Sequence, residues 1–408
     1  MPEAFLVGGA RTPVGRYGGV LSSIRPDDLA AMTIQATIER SGLDPQLVDE
    51  VILGNANGAG EENRNVARMA WLLAGYPDQV PGITVNRLCA SGLSAIIQAS
   101  HMIKAGAADI VIAGGVESMS RAPWVMEKPD KAFAKPGAVH DTSIGWRFPN
   151  PSFEHGPLSR DGKATYSMPE TAEEVARVFN ISREDCDAFA AASHERAISA
   201  ISKGHFADEI IPVAVPSRKG APTIVETDEG PRPGTTKEVL AGLRPVVNGG
   251  NVVTAGNSSS LNDGASAIII ASEKALETHG LTPRARILDG VSAGVPQELM
   301  GIGPVPATRK ILARNQLTVD DLSAVELNEA FASQSLACIR ELNLDPNLVN
   351  QDGGAIALGH PLGSSGARLV ITLLGRMDRL EPQERQLGLA TMCVGVGQGT
   401  ALLLESIR

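Results

Sequence analysis

What this chain lacks narrows its class before any motif is read. No apolar run approaches the roughly 18 residues that a membrane span requires. The opening MPEAFLVGGARTP has no basic leader and only a short apolar stretch, and the closing ESIR is not the peroxisomal tripeptide, so a cytoplasmic protein is expected. Cysteine is scarce: Cys89, Cys186, Cys338 and Cys393 lie far apart, with no pair at metal-ligand spacing, so no metal site is expected. A cytoplasmic setting also argues against structural disulfides, which leaves each thiol as core filler or as chemistry. Positive charge is in deficit, with a net charge of −10. That excludes a nucleic-acid or anionic-membrane surface, and leaves room only for a local basic pocket. Aromatics make up 3% of the chain against 43 glycines, a balance that favours packing through small residues and close backbone approach.

The 408 residues suit two large domains or one duplicated unit. AFLVGGA reads as a strand, DDLAAMTIQATIERSG as a helix closed by Gly42, VDEVILGNANG as a strand into a glycine-rich loop, NVARMAWLLAG as a helix and GITVNRLCA as a strand. Beyond Cys89, SGLSAIIQASHMIKAG places Leu93, Ile96, Ile97 and Ile103 at helical spacing with small residues elsewhere, which predicts a helix buried nearly all round. ADIVIAGGVESM follows as another strand. Strands alternating with helices predict a parallel, layered α/β core. Residues 121 to about 250 break the rhythm with prolines and irregular stretches, and helices return at TAEEVARVFN and SREDCDAFAAASHERAISAISKG. This segment reads as a loop domain inserted on the first unit. A repeat is also visible: ERSGLDPQLVDEV (39–51) lies without a gap over ARNQLTVDDLSAV (313–325). The expected organisation is an N-terminal half, 1–280, carrying the loop domain 121–250, and a C-terminal half, 281–408.

The repeat sets two regions against each other. VNRLCASGLSAI places Cys89 at a helix start, where the dipole favours thiolate. Its counterpart GGAIALGHPLGSSGAR (353–368) holds His360 between glycines and before Pro361. Alone, such a histidine is most often a surface or satisfied core residue. In two related halves, matching helix starts can face one ligand, and thiol plus imidazole make a nucleophile and base. TMCVGVGQGTALL (391–403) places Cys393 at the end of an apolar strand that opens onto glycines. A dinucleotide-binding reading of Gly395, Gly397 and Gly399 fails, because that motif needs a following helix and strand. These glycines better suit a backbone N–H aimed at a ligand. VELNEAFASQSLA (325–337) places Asn328 and Glu329 between a strand and a helix, where an ordinary N-cap is an equal reading.

Seven blocks in order, NRLCASGLSA, AGGVESMSRAP, SMPETAEEVA, VTAGNSSSLNDGAS, ELNEAFA, GGAIALGHPLGSSGAR and CVGVGQG, resemble the thiolase family of acyl-CoA C-acyltransferases over essentially the whole chain. Finer stretches, DTSIGWRFPNP, MGIGPVPATRK and TMCVGVGQG, are similar to the β-ketoadipyl-CoA (3-oxoadipyl-CoA) thiolases of aromatic-compound degradation. The resemblance implies a duplicated α/β/α/β/α layered core with an inserted loop domain. It implies acyl-CoA and coenzyme A as substrates, no permanently bound cofactor, and a homodimer or homotetramer. It makes Cys89 the acyl-carrying nucleophile, His360 its proton acceptor and Cys393 the acid/base at the acetyl-CoA methyl carbon. Asn328 would hold a water that, with His360, faces one oxyanion, and the N–H groups of Cys89 and Gly395 would face a second. For coenzyme A it implies Met168 and Ser259 beside the pantetheine, Arg232 at the adenosine end and Phe331 along the channel. A dicarboxylic substrate would need a cation, for which Arg147, Arg160 and His155 are candidates. Ser167, Val396 and Ser260 depart from common patterns of the family. The functional rivals are a decarboxylating ketoacyl synthase, a general acetyl-CoA acetyltransferase and a non-catalytic CoA-binding protein; the second cysteine and the complete set of four chemical positions favour the thiolase.

Overall fold

The structure, a computed structural model, describes residues 2–156, 165–217, 219–382 and 384–407. Nine strands form the spine of a large sheet: β1 (Ala4–Arg11), β2 (Glu50–Gly54), β3 (Gly82–Val85), β4 (Ile110–Ser118), β5 (Asn262–Ser272), β6 (Ala285–Gly294), β7 (Leu322–Leu327), β8 (Leu387–Val394) and β9 (Gln398–Ser406). Their order is β7-β8-β9-β6-β1-β5-β4-β2-β3, with the short strand Gly15–Arg16 added on β5. The pairing repeats. β2 is parallel to β4, β4 antiparallel to β5, and β5 antiparallel to β1. In the same way β7 is parallel to β8, β8 antiparallel to β9, and β9 antiparallel to β6. The two sets meet where Phe5 of β1 faces Arg286 of β6. Even the outer position recurs, since β3 runs parallel on β2 and Val349 bridges Val325 of β7 in parallel.

The sheet is thus mixed rather than parallel. β8 and β9 are joined by three residues, and a turn that short can only return a strand antiparallel. The long 121–250 segment lies between β4 and β5 and lets the matching pair of the first set adopt the same sense. Within that segment a two-stranded arm, Trp124–Met126 with Val139–Asp141, precedes the helices Met168–Val178 and Arg183–Ser202. The first of these starts earlier than its apolar pattern suggests, because Ser167 and Glu170 form a capping box with Pro169 in the first turn. Ser167, unusual for the family that the sequence resembles, is therefore a helix cap.

Two helices, Ser91–Lys104 and Leu362–Arg379, pack on each other and against strands of both sets. Leu93, Ile96, Ile97 and Ile103 enter one core cluster with Leu369, Val370, Leu373 and Met377. The helices cross on glycines. A Cβ on Gly92 would lie 2.6 Å from the Gly363 carbonyl oxygen, one on Gly115 2.0 Å from the same atom, and one on Gly366 2.4 Å from the Leu93 nitrogen. No larger residue fits these positions without moving backbone, so the N-terminal ends of the two helices are forced side by side.

A buried ion network ties the loop segment to this core. Arg11, 1% exposed, donates to Glu209 at 2.7 Å and to both oxygens of Asp228 at 2.7 and 2.9 Å. Arg11→Met is expected to cost about 3–5 kcal/mol, because it leaves two carboxylates in the interior without their cation. Urea unfolding monitored by circular dichroism reads that loss as a lower midpoint.

Candidate active site

Cys89 lies in a tight turn, Leu88–Ala90, immediately before the helix Ser91–Lys104. Leu88 adopts φ +46°, a conformation that a leucine rarely takes, so the turn is held by its surroundings. Asn86 Oδ1 accepts from the Leu88 N–H at 2.8 Å, and Ser91 Oγ accepts from the Arg87 N–H at 2.9 Å while donating to the Leu88 carbonyl at 2.6 Å. Arg87 Nη1 reaches Gln398 Oε1 at 3.1 Å and so links this turn to the β8–β9 hairpin.

That hairpin presents Cys393 and Gly395. Cys393 is the penultimate residue of β8 and is fully buried beside Phe331, Met300 and Met168. Gly395 opens the turn. Val396, where a glycine is usual, takes φ +63°, and its side chain is 42% exposed, so its strain is local to the surface. The backbone N–H groups of Gly395 and of Cys89 itself favour negative charge on the Cys89 sulfur.

His360 follows the tight turn at Gly359 and is buried ahead of the helix Leu362–Arg379. Its backbone N–H donates to Asn262 Oδ1 at 2.8 Å, and Ser260, the other departure from family pattern, donates to the same oxygen at 2.9 Å. Ser365 Oγ lies 2.6 Å from Nδ1 and donates its own proton to the Pro361 carbonyl at 2.9 Å. With that proton committed, Ser365 accepts from Nδ1–H, and the tautomer leaves Nε2 bare. Asn328 Nδ2 is 3.4 Å from this Nε2, and Asn328 Oδ1 is buried with no donor among the described residues.

Burial sets the protonation states. It pushes the Cys89 thiol up to about 11, against the two N–H groups, and the nearby Glu117 adds to the rise. Burial and then the Arg368 charge bring His360 down to about 3. Cys393 is held well above the usual thiol range by burial and by its neighbour Cys89. The thiolate anticipated at the helix start is therefore outweighed by desolvation, and the resting site is thiol, neutral imidazole and thiol. Alkylation of Cys89 by iodoacetamide in the free protein should then rise about tenfold per pH unit from pH 7 to 9 with no plateau. Mass spectrometry of the Cys89 peptide follows it, and a plateau near pH 7 would show a thiolate–imidazolium pair instead. Cys186 and Cys338 are buried, with thiols pushed up to about 12, and do not line the cavity.

Cys89, His360, Cys393, Met168, Arg232, Ser259 and Phe331 all line one cavity of about 810 Å³. Asn328 and Gly395 sit behind its wall and reach the reactive groups through the contacts above. Asn328 and Glu329 do not cap the next helix, which runs Ala332–Leu342 from Phe331. The segment before it is extended because it pairs with the 257–259 stretch, where the Ser259 N–H donates to the Ala330 carbonyl at 2.9 Å. Glu329 instead holds Ser193, Asn350 and the Ile356 N–H. Arg147 donates to Asn57 at 3.3 Å and is not on the cavity wall. Arg160 and the His155 side chain lie outside the described residues. Sequence reasoning missed Ser365, Asn262 and Glu117. Glu117, buried and pushed up to about 7 by that burial, accepts from the Ala56 and Gly363 N–H groups at 2.9 and 2.8 Å and pins the start of the His360 helix. Among the described residues no group of three or more His, Cys, Asp or Glu could hold a metal ion, and no helix is long and apolar enough to cross a membrane.

Residues 4–274 match the family model described as thiolase, N-terminal domain, and residues 281–406 the one described as thiolase, C-terminal domain. The chain is 56% identical to the β-ketoadipyl-CoA thiolase of Pseudomonas aeruginosa, over 99% of both chains. It is 53% identical to the 3-oxoadipyl-CoA/3-oxo-5,6-dehydrosuberyl-CoA thiolase of Escherichia coli K12, over 100% of both. A crystal structure of the acetyl-CoA acetyltransferase of Bacillus anthracis superposes with a TM-score of 0.90 at 39% identity, covering 100% of this chain and 99% of that one.

Proposed function

Because this chain belongs to the thiolase family, an acyltransferase family that works on acyl-CoA thioesters, we propose that it cleaves 3-oxoadipyl-CoA with coenzyme A to acetyl-CoA and succinyl-CoA. The observation that carries the substrate is the 56% and 53% identity, over essentially full length, to enzymes named for that thioester. The rival is a general acetyl-CoA acetyltransferase, the activity named for the Bacillus anthracis structure. Thiolysis assays with 3-oxoadipyl-CoA and acetoacetyl-CoA separate the two. A clear preference for acetoacetyl-CoA sinks the dicarboxylic reading.

The roles follow from the resting protonation states. Cys89 Sγ attacks the 3-keto carbon as its proton moves to the bare His360 Nε2. The carbon–carbon bond then breaks, and acetyl-CoA leaves as an enolate that takes the Cys393 proton at carbon, a task for which a thiol held protonated by burial is fitted. The succinyl group stays on Cys89 until a coenzyme A thiol, giving its proton to Cys393, attacks the thioester; succinyl-CoA leaves, and the expelled Cys89 sulfur takes back the proton held on His360 Nε2. Two oxyanions form at different places and need two donor sets. The N–H groups of Cys89 and Gly395, which favour negative charge at the sulfur, serve the acyl oxygen. His360 and a water held at the unpaired Asn328 Oδ1 serve the enolate-like oxygen of the CoA thioester. Met168, Ser259, Arg232 and Phe331, spread along the same wall, seat coenzyme A as a substrate and not as a resident cofactor.

The same reading divides the chain into halves at 280/281 with the 121–250 segment inserted on the first, and places the enzyme in the cytoplasm as a homodimer or homotetramer. Four free cysteines fit a reducing compartment. The edge strand β3, with Ile83 exposed, and the arm, with Trp124 exposed, are surfaces that a second copy would cover.

A further inference from the structure

Among the described residues on the cavity wall, the charged side chains are Arg16 and Arg232; no lysine, aspartate or glutamate lines it. Neither arginine has a carboxylate partner there. Arg16 Nη2 donates to the Gly230 carbonyl at 3.1 Å, while Glu229 is spent on the backbone N–H groups of Arg16 and Val20 at 2.8 and 3.1 Å. The Arg232 guanidinium is pushed below its usual range by burial and by Arg16. Beside them His194 accepts from the Arg232 N–H at 3.2 Å, and is brought down to about 4 by burial and then by the two arginine charges. A chain with a net charge of −10 thus gathers like charges around a cavity and, among the described residues, sets no acidic side chain on its wall, an arrangement completed by an anionic ligand.

Arg16 is the one tied by hydrogen bonds to the stretch that holds His360. Its backbone pairs with Asn262, whose amide donates to the Gly15 carbonyl at 2.9 Å and whose oxygen holds the His360 N–H at 2.8 Å. Gly230, which anchors the guanidinium, lies so close to the His360 approach that a Cβ there would be 2.2 Å from the Ala357 carbonyl oxygen. The same wall also carries apolar side chains, among them Met119, Ile144 and Leu362. Resting on the 3-oxoadipyl-CoA reading, we infer that Arg16, held by Gly230 on the His360 side of the cavity, binds the free carboxylate of the dicarboxylic acyl chain and selects it over a neutral one. The phosphates of coenzyme A offer the same anionic chemistry, so the test separates the two sources.

Steady-state thiolysis by the full-length wild type, Arg16→Gln and Arg16→Lys is compared for 3-oxoadipyl-CoA and acetoacetyl-CoA, and for their 3′-dephospho-CoA analogues. The ratio of kcat/KM for the dicarboxylic over the neutral substrate should fall about tenfold to a hundredfold in Arg16→Gln, the range for removing a charge-assisted pair. Arg16→Lys should recover part of it. If Arg16→Gln does not fold, Arg16→Lys alone carries the test, with an expected drop of about three- to tenfold for losing the planar fork. A ratio within threefold of the wild type overturns the carboxylate site while the substrate reading stands. A loss equal on both substrates that disappears with the dephospho analogues assigns Arg16 to the CoA phosphate and also overturns it. A wild type with no preference for 3-oxoadipyl-CoA overturns the substrate reading, and the carboxylate site with it.

Discussion

Cys89→Ser is expected to lower thiolysis by about 10⁴-fold or more and to leave no acyl group on the protein. The change removes one polarizable sulfur and leaves an oxygen in the same turn. A serine hydroxyl holds its proton far more tightly than a thiol, and the base beside it is an imidazole brought down to about 3. The wild type is expected to overcome that weak base because a sulfur anion is intrinsically stable and the Gly395 and Cys89 backbone N–H groups favour its charge. Oxygen gains less from both. Incubation with acetyl-CoA labelled in the acetyl group, followed by denaturation and peptide mapping, gives the result directly. Label found covalently on the variant would remove Cys89 from the role of acyl carrier.

Cys393→Ala separates the two halves of the cycle. Acyl transfer from acetyl-CoA to Cys89 needs the nucleophile, the base and the hole made by Cys89 and Gly395; the substitution removes only the proton donor to the departing coenzyme A, a thiolate stable enough to leave without it, so this half is slowed and not abolished. Cleavage of the carbon–carbon bond needs a proton delivered to carbon, and loss of a positioned acid costs about 10²–10⁴-fold. Labelled acetyl from acetyl-CoA should therefore still accumulate on Cys89 in this variant, while 3-oxoacyl-CoA thiolysis falls by that factor. Cys393 is packed among Met300, Ala330, Phe331 and Met168, so the missing sulfur also leaves a small void. A void of that size costs about 1 kcal/mol of stability and shifts Tm slightly, whereas a general collapse of the site would abolish labelling as well. Labelling and thiolysis lost together would mean that Cys393 is structural.

The residues proposed to react, which the structure brings to one cavity, were legible because each is embedded in a local signal. Cys89 precedes a small-residue helix, His360 is flanked by glycine and proline, and Cys393 ends an apolar strand. The layered α/β core was legible for the same reason, since strand and helix periods are local. What sets the state of the site is not local. Asn262, which holds His360, lies 98 residues away along the chain, and Glu117, which holds the start of its helix, lies 246 residues from the Gly363 that it binds. No pattern within a window of the chain carries such pairs. Desolvation is non-local too: the dipole argument for a Cys89 thiolate used what surrounds the residue in sequence, and the rise to about 11 comes from what surrounds it in space. The strand order was read as parallel because strands alternate with helices, but the sense of a pair depends on the length of its connection, and the three-residue β8–β9 turn decides it. Arg16 carried no motif at all; it stands out only when its charge is seen on the wall of a cavity where, among the described residues, no aspartate or glutamate lies.

The glycine crossing beneath the site bears on how such an enzyme can change over time. Cys89 and His360 are kept in register by backbone against backbone at Gly92, Gly115, Gly363 and Gly366, where the smallest added group displaces a carbonyl or an amide. On the reading proposed above, the cavity wall that would meet the acyl chain comes from elsewhere, from Arg16, Ile144 and the 230–261 stretch. On that reading, chemistry and choice of substrate are carried by different atoms. A lineage can redraw the second by substitution at the wall while the first stays fixed, and a library aimed at new acyl chains should vary those wall positions and leave the four glycines untouched.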